Sequence, residues 1–284
     1  MKLAAGLVTG SVSVISEAVH SGLDLVAALI TFFSVRESAK PPDERHAYGH
    51  GKIENVSALA EAVLIFVAAA WIIVEAARKI LFGVEVQALG VGLAVMGLSA
   101  VANYFISGTL FRVGKRHDSL ALEADGLHLR TDVYTSVGVF AGLGLIEFTG
   151  FDLLDPVVAI LVALFIIKAA WDLTRTSFLP LLDVRLSPED EDAVREIVRS
   201  FESEYVEFHK LRTRKAGPER HVDLHLVVHP THSIDEVHDL ADRIEDNIRQ
   251  RWERTSVLIH MEPCRSIACS SCRNPCEAEK SSRL

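Results

Sequence analysis

Residues 17–24 read EAVHSGLD and lie inside a run, Val12 to Val35, that is otherwise apolar enough to cross a bilayer. A spanning helix needs about 20 such residues. An ionisable side chain at the centre of the hydrocarbon costs about 2.5–3.5 kcal/mol even on the lenient insertion scale, so a histidine and an aspartate here point to ion pairing, ion transit or proton transfer. The HxxxD spacing recurs: His20 and Asp24 stand in the first full run, His128 and Asp132 in the fourth. Residues four apart share a helix face, so each pair offers one imidazole and one carboxylate to a common neighbour. If the two helices are antiparallel, His20 is level with Asp132 and Asp24 with His128. Two neutral imidazoles and two carboxylates suit a tetrahedral Zn2+ and balance its charge in a low-dielectric interior. The plainer alternative, an isolated polar contact within each pair, is weakened by the duplication.

The rest of the chain agrees with a membrane protein carrying a soluble part. It has 284 residues, 49% of them hydrophobic, and a mean hydropathy of +0.26. Net charge is −9 and no Lys/Arg-rich block stands out, which excludes the electrostatic footprint of a nucleic-acid binder. Apolar runs at about 12–35, 56–82, 87–111, 119–149 and 155–180 give five complete spans. The opening MKLAAGLVTG is apolar but too short to span and lacks a signal-peptide cleavage pattern, so a preceding helix is expected to be cut short. Arg36, Lys40, Arg45 and Lys52 share one loop, and Arg112, Lys115 and Arg116 another two spans later. The positive-inside rule then puts these loops and the C-terminal region in the cytoplasm and makes the first and fourth runs antiparallel. The expectation is a multi-pass protein of the cell (inner) membrane.

From Asp183 the pattern becomes that of a soluble module. Ser187 and Pro188 open a helix, and Tyr205 to Arg214 and Arg220 to His229 read as strands. In the second strand Val222, Leu224, Leu226 and Val228 face one way, while His221 and His225, with His229 beyond, face the other. Ser233 with Glu236 makes a capping box for a helix with Val237, Leu240, Ala241, Ile244 and Ile248 on its buried stripe. Ser256 to Met261 is a last strand, completing an αββαβ order with helices on one face of a small sheet. The domains expected are thus 1–182 in the membrane, 183–263 as the module and 264–284 as a tail.

Other candidate ligands lie outside the membrane. Asp43, His46 and His50 form DxxHxxxH in a polar loop, which is either a three-ligand site or a solvated segment. His225 on its strand and His260 near the end of the last one, with Glu262, suit a cytoplasmic metal sensor, whereas His221 and His229 read as solvated. All four cysteines, Cys264, Cys269, Cys272 and Cys276, fall in the tail. A disordered, reduced tail is the favoured reading there, with a four-thiolate zinc knuckle or an iron–sulfur spacing as alternatives.

TGSVSVISEAVHSGLD, DERHAYGHGK and ALEADGLHLRTD together resemble the motifs of the cation diffusion facilitator family, proton-coupled exporters of divalent metals. The resemblance runs from about Gly6 to Pro263. It implies an α-helical membrane bundle, six spans in the family and five complete here, followed by an α+β ferredoxin-like, metallochaperone-like dimerisation domain. It implies a transport site at His20, Asp24, His128 and Asp132, and a second site at Asp43, His46 and His50. It further implies a cytoplasmic binuclear site at His209, His225, His238, His260 and Glu262, a charge pair of Lys52 with Asp183, and a homodimer. Glu17 stands three residues before His20 and Asp125 three before His128, so each pair carries one more carboxylate on its face. These read either as partners or relays for the ligand histidines or as headgroup-level charge.

The expected function is therefore a proton-coupled antiporter that carries Zn2+ out of the cytoplasm, its substrates being a divalent metal ion and protons. The ligand set leaves room for Cd2+, Co2+, Ni2+ or Fe2+. The alternatives are a membrane-embedded zinc enzyme, against which no HExxH is present, and a membrane-anchored cytoplasmic metal sensor, which would not need ligands inside the membrane.

Overall fold

The computed structural model describes residues 12–82, 90–149, 151 and 153–265, and divides into two units, Met1–Leu181 and Leu182–Leu284. The first unit is helical: α1 (Val12–Ser38), α2 (Lys52–Phe82), α3 (Gly90–His117), α4 (Leu120–Thr149) and α5 (Leu154–Phe178), then a 3-10 turn at Leu179–Leu182. Within the described residues each apolar run of the sequence falls largely on one of these helices. α1 and α2 also continue into their polar flanks, through Arg36 and Glu37 in one case and from Lys52 in the other. The expected truncation of a preceding helix concerns residues 1–11, outside the described ones.

Small residues set how closely these helices pack. Ala58, Ala62, Ile65 and Ala69 of α2 form a fully buried seam with Ala124 of α4 and with Ile166, Ala170 and Leu173 of α5. Such residues let backbones approach where no hydrophobic force separates helix from lipid. The outward faces are the opposite: Phe32 and Phe33 of α1, Val67 and Trp71 of α2, Phe105 of α3, and Leu161 and Phe165 of α5 are exposed. An apolar exterior of that extent suits lipid rather than water. Among the described residues, α2 and Pro156–Leu182 are long and apolar enough to span by composition alone. α4 falls short because Glu123, Asp125, Arg130 and Asp132 crowd its first half.

The second unit holds α6 (Pro188–Arg199), β1 (Glu207–Ala216), β2 (Glu219–Val228), α7 (Ile234–Arg251) and β3 (Thr255–Pro263). The sheet order is β1-β2-β3, antiparallel between β1 and β2 and parallel between β2 and β3, as the α7 crossover requires. Ser187 Oγ accepts the Asp190 N–H at 3.1 Å, and Ser233 with Glu236 closes a full capping box. The core joins Val194 and Val198 of α6, Val222, Leu224, Leu226 and Val228 of β2, Leu240, Ile244 and Ile248 of α7, and Val257 of β3. One expectation is corrected. His221 is buried, not solvated, because β2 is the middle strand and His221 lies between Arg214 and Ser256 of its two neighbours.

Candidate metal centre

Three groups of potential ligands occur among the described residues. The membrane group consists of Asp24 on α1 with His128 and Asp132 on α4, each offering a donor atom within 4.8 Å of the others. His128 is buried and its Nε2 lies 3.5 Å from Asp24 Oδ1. Hydroxyl groups return to the α4 carbonyls along this stretch: Thr131 Oγ1 donates to the His128 carbonyl at 2.7 Å, and Ser136 Oγ to that of Asp132 at 2.8 Å. Such back-bonding satisfies these hydroxyls within α4, without drawing on the ligand side chains. Asp125 is buried one turn before His128 on α4. His20 and Glu17 belong to α1, and their side chains lie outside the described residues.

Sequence reasoning missed one acid at this centre. Glu61 of α2 is fully buried, and its Oε2 lies 4.0 Å from Nδ1 of His128. The available signal was a carboxylate within an apolar run, the same feature that marked Asp24.

The loop before α2 gathers Asp43, His46 and His50, again with donor atoms within 4.8 Å. Asp43 Oδ1 accepts the backbone N–H groups of His46 at 2.7 Å and Arg45 at 2.9 Å, and these bonds hold its carboxyl below the ordinary aspartate value. Asp43 Oδ2 is 3.3 Å from Nε2 of the buried His50, and the two imidazole rings lie 4.4 Å apart. Gly49, at φ 82, makes the tight turn that carries the chain from His46 back to His50, a conformation natural to glycine.

In the module the strand register produces the third group. His209 pairs with His225 across β1 and β2, and His225 with His260 across β2 and β3, so three imidazoles cross the sheet in a row on the face away from the core. Glu262, two residues beyond His260, reaches all three: 2.7 Å to His225 Nδ1, 3.5 Å to His209 Nε2 and 3.7 Å to His260 Nε2. The contact with His225 holds its carboxyl below the ordinary glutamate value. The tightest set is His209, His225 and Glu262. His238 is a departure from the expectation: it stands on α7, largely exposed, 3.7 Å from Asp242, and belongs to none of the three groups. Within one chain α7 packs on the core face of the sheet, opposite the histidine row.

The remaining candidates are placed singly. Lys52 Nζ donates to the Leu181 carbonyl at 3.5 Å, and Asp183 accepts from Arg214 at 3.1 Å, each within its own unit. Cys264 is a half-buried free thiol whose backbone N–H extends the sheet to the Val228 carbonyl, while Cys269, Cys272 and Cys276 lie outside the described residues.

Comparison with known proteins places this architecture. Residues 1–182 match the model for the cation efflux transmembrane domain and residues 186–264 that for the cation efflux protein cytoplasmic domain. The chain is 36% identical over 265 residues to the uncharacterized transporter sll1263 of Synechocystis, covering 93% of this chain and 85% of the relative. It is 30% identical over 264 residues to the cation-efflux pump FieF of Escherichia coli, covering 93% and 87%. The zinc form of CzrB, a solved structure, matches 28% of this chain and 92% of its own at 33% identity, with a TM-score of 0.28. The chain belongs to the cation efflux family, the cation diffusion facilitators, membrane-bound exporters of divalent metal ions.

Proposed function

We propose that this protein is a multi-pass, proton-coupled antiporter of the cell (inner) membrane that exports Zn2+ and works as a homodimer. The observation that carries the reading is the convergence of Asp24, His128 and Asp132 at the junction of helices inside the bundle. Two carboxylates neutralise a dication, and an imidazole nitrogen adds the borderline-soft donor that Zn2+ favours over the all-oxygen sets of Mg2+ or Ca2+. His20, one turn before Asp24 on α1, is the fourth ligand in this proposal.

Coupling to protons follows from competition for one lone pair. A histidine binds metal only when neutral, so a proton arriving from the far side displaces the ion, and the return stroke of the bundle carries that proton inward. The loop group at Asp43, His46 and His50 lies in the segment joining α1 to α2, where a second cation would order the cytoplasmic approach. In the module, the row of His209, His225 and His260 around Glu262 serves as the cytoplasmic sensor.

Proteoliposomes holding the full chain test the reading. Radioactive zinc uptake should rise with an imposed pH gradient, acid on the side that receives the metal, and Asp132→Ala should abolish it. Uptake indifferent to the gradient would remove proton coupling, and uptake by Asp132→Ala equal to the parent would remove the transport site.

A further inference from the structure

We infer that Glu61 is a positioning residue of the membrane centre, its buried carboxylate accepting the Nδ1–H of His128 so that Nε2 is turned to the cation. This rests on His128 being a ligand, as proposed above. The two ring nitrogens of His128 divide its surroundings: Nε2 is 3.5 Å from Asp24, and Nδ1 is 4.0 Å from Glu61. Because these nitrogens point away from each other in the ring plane, a cation on Nε2 cannot also be reached by Glu61, which is left to act on the other nitrogen.

The local bookkeeping of polar groups points the same way. Among the described residues no hydrogen bond of ordinary geometry reaches either carboxylate oxygen of Glu61 or Nδ1 of His128, and the neighbouring Thr31 hydroxyl is a further polar group beside that carboxylate. Buried polar atoms are rarely left so, since each unpaired one carries its full desolvation penalty. The 4.0 Å gap exceeds an ordinary N–H···O bond by about 1 Å, so the bond belongs to the metal-loaded centre in this proposal. Glu61 is held for that purpose, on the same face of α2 as the fully buried Ala58, Ala62 and Ile65, with no solvent path for the carboxylate. A ligand histidine that donates its other N–H to a carboxylate has its tautomer and ring plane fixed and its basicity raised.

The test uses the full chain in detergent, with the loop and module groups removed by H46A, H50A, H225A and E262A and the tail thiols by C264S, C269S, C272S and C276S, and follows Zn2+ binding by competition with a chelating dye. Glu61→Leu should weaken binding about 10–100-fold, while Glu61→Gln, which keeps an acceptor oxygen, should retain most of the affinity. Perturbed angular correlation of bound cadmium should show an altered nitrogen geometry in Glu61→Leu and a parent-like one in Glu61→Gln. Unchanged affinity in Glu61→Leu, or equal losses in both variants, would overturn the inference, the second because charge rather than the acceptor would then matter. If Glu61→Leu does not fold, Glu61→Met replaces it. If neither folds, Glu61→Ala takes their place, an affinity loss that Glu61→Gln does not share supporting the inference and an unchanged affinity overturning it. His128→Ala separates the two levels: retained binding there defeats the transport-site reading, whereas lost binding there with none lost in Glu61→Leu defeats only the role of Glu61.

Discussion

Glu54 shows what a buried carboxylate does when its partners are in place. It lies one turn into α2 and accepts hydrogen bonds from Ser38 Oγ of α1 at 2.7 Å and from Ser119 Oγ, just before α4, at 2.5 Å, with the Ala121 N–H at 3.4 Å. One side chain thus ties the end of α1 and the start of α4 to α2, and its negative charge meets the positive end of the α4 dipole. Glu54→Ala strands the Ser119 hydroxyl, while that of Ser38 keeps the Val35 carbonyl at 3.0 Å, and should cost about 1.5–3 kcal/mol, read as a lower melting temperature in detergent, with Glu54→Gln losing less. Glu262 allows a prediction in pH. Its carboxyl is held down by the His225 contact, so the stability it contributes is present above the ordinary glutamate value of about 4.3 and is lost as pH falls through its lower folded value. Melts of chelator-treated protein should therefore drop more steeply between about pH 4.5 and pH 3 in the parent than in Glu262→Gln. At this scale the approach of Asp24 to His128 was legible, because spacing alone puts them on faces that can meet. Glu61 carried the same signal, a carboxylate within an apolar run, and was passed over for want of a partner at helical spacing. Glu54 was not legible, since in the first turn of α2 a carboxylate reads as interfacial charge until packing against other helices buries it.

α4 and α5 depend on a single missing side chain. A β-carbon on Gly138 would lie 2.9 Å from Val162 Cγ2, so the two helices leave no room for a side chain there. Gly138→Leu should separate them and cost about 1–3 kcal/mol of overpacking; the expected result is a lower melting temperature and, with α4 displaced, weaker zinc binding at His128 and Asp132. In the module, the β1–β2 pairing shifts register between His209 and Arg212, and Lys210 takes a φ of 51 there. That bulge lets His209 stay level with His225 while the rest of β1 changes step. Lys210→Gly should relieve about 1 kcal/mol of left-handed strain and raise the melting temperature without loss of metal binding, whereas Lys210→Val should lower both. The helix starts at Ser187 and Ser233 were readable because a cap is a short-range signal, confined to four residues. The bulge was not, since a register shift is a property of two strands and neither carries it alone. His238 stands apart from the histidine row within one chain for a similar reason: the strand histidines are set by alternation, but which face of the sheet α7 covers is decided by the whole core.

For the whole molecule the question is how metal in the soluble module bears on transport in the bundle. The proposed homodimer supplies a link whose sign is fixed by thermodynamics. If Zn2+ on the histidine row favours association of two modules, then association must tighten Zn2+ binding by the same factor, because the coupling is reciprocal. The row is suited to that role: His260 and Glu262 are partly or largely exposed on the sheet face that α6 and α7 leave uncovered, so a bound cation changes the charge of an outward surface. Removing donors with His225→Ala and His260→Ala should then act on both observables together. Sedimentation of the full chain should lose its zinc dependence, and zinc flux in proteoliposomes should need about 5-fold or more metal for half-maximal rate, the lower end of ordinary allosteric coupling. The maximal rate at saturating zinc should stay near the parent value, because Asp24, His128 and Asp132 are untouched. A lower maximal rate with an unchanged half-maximal concentration would instead mean that the row acts on the bundle's stroke and not on how much metal starts it.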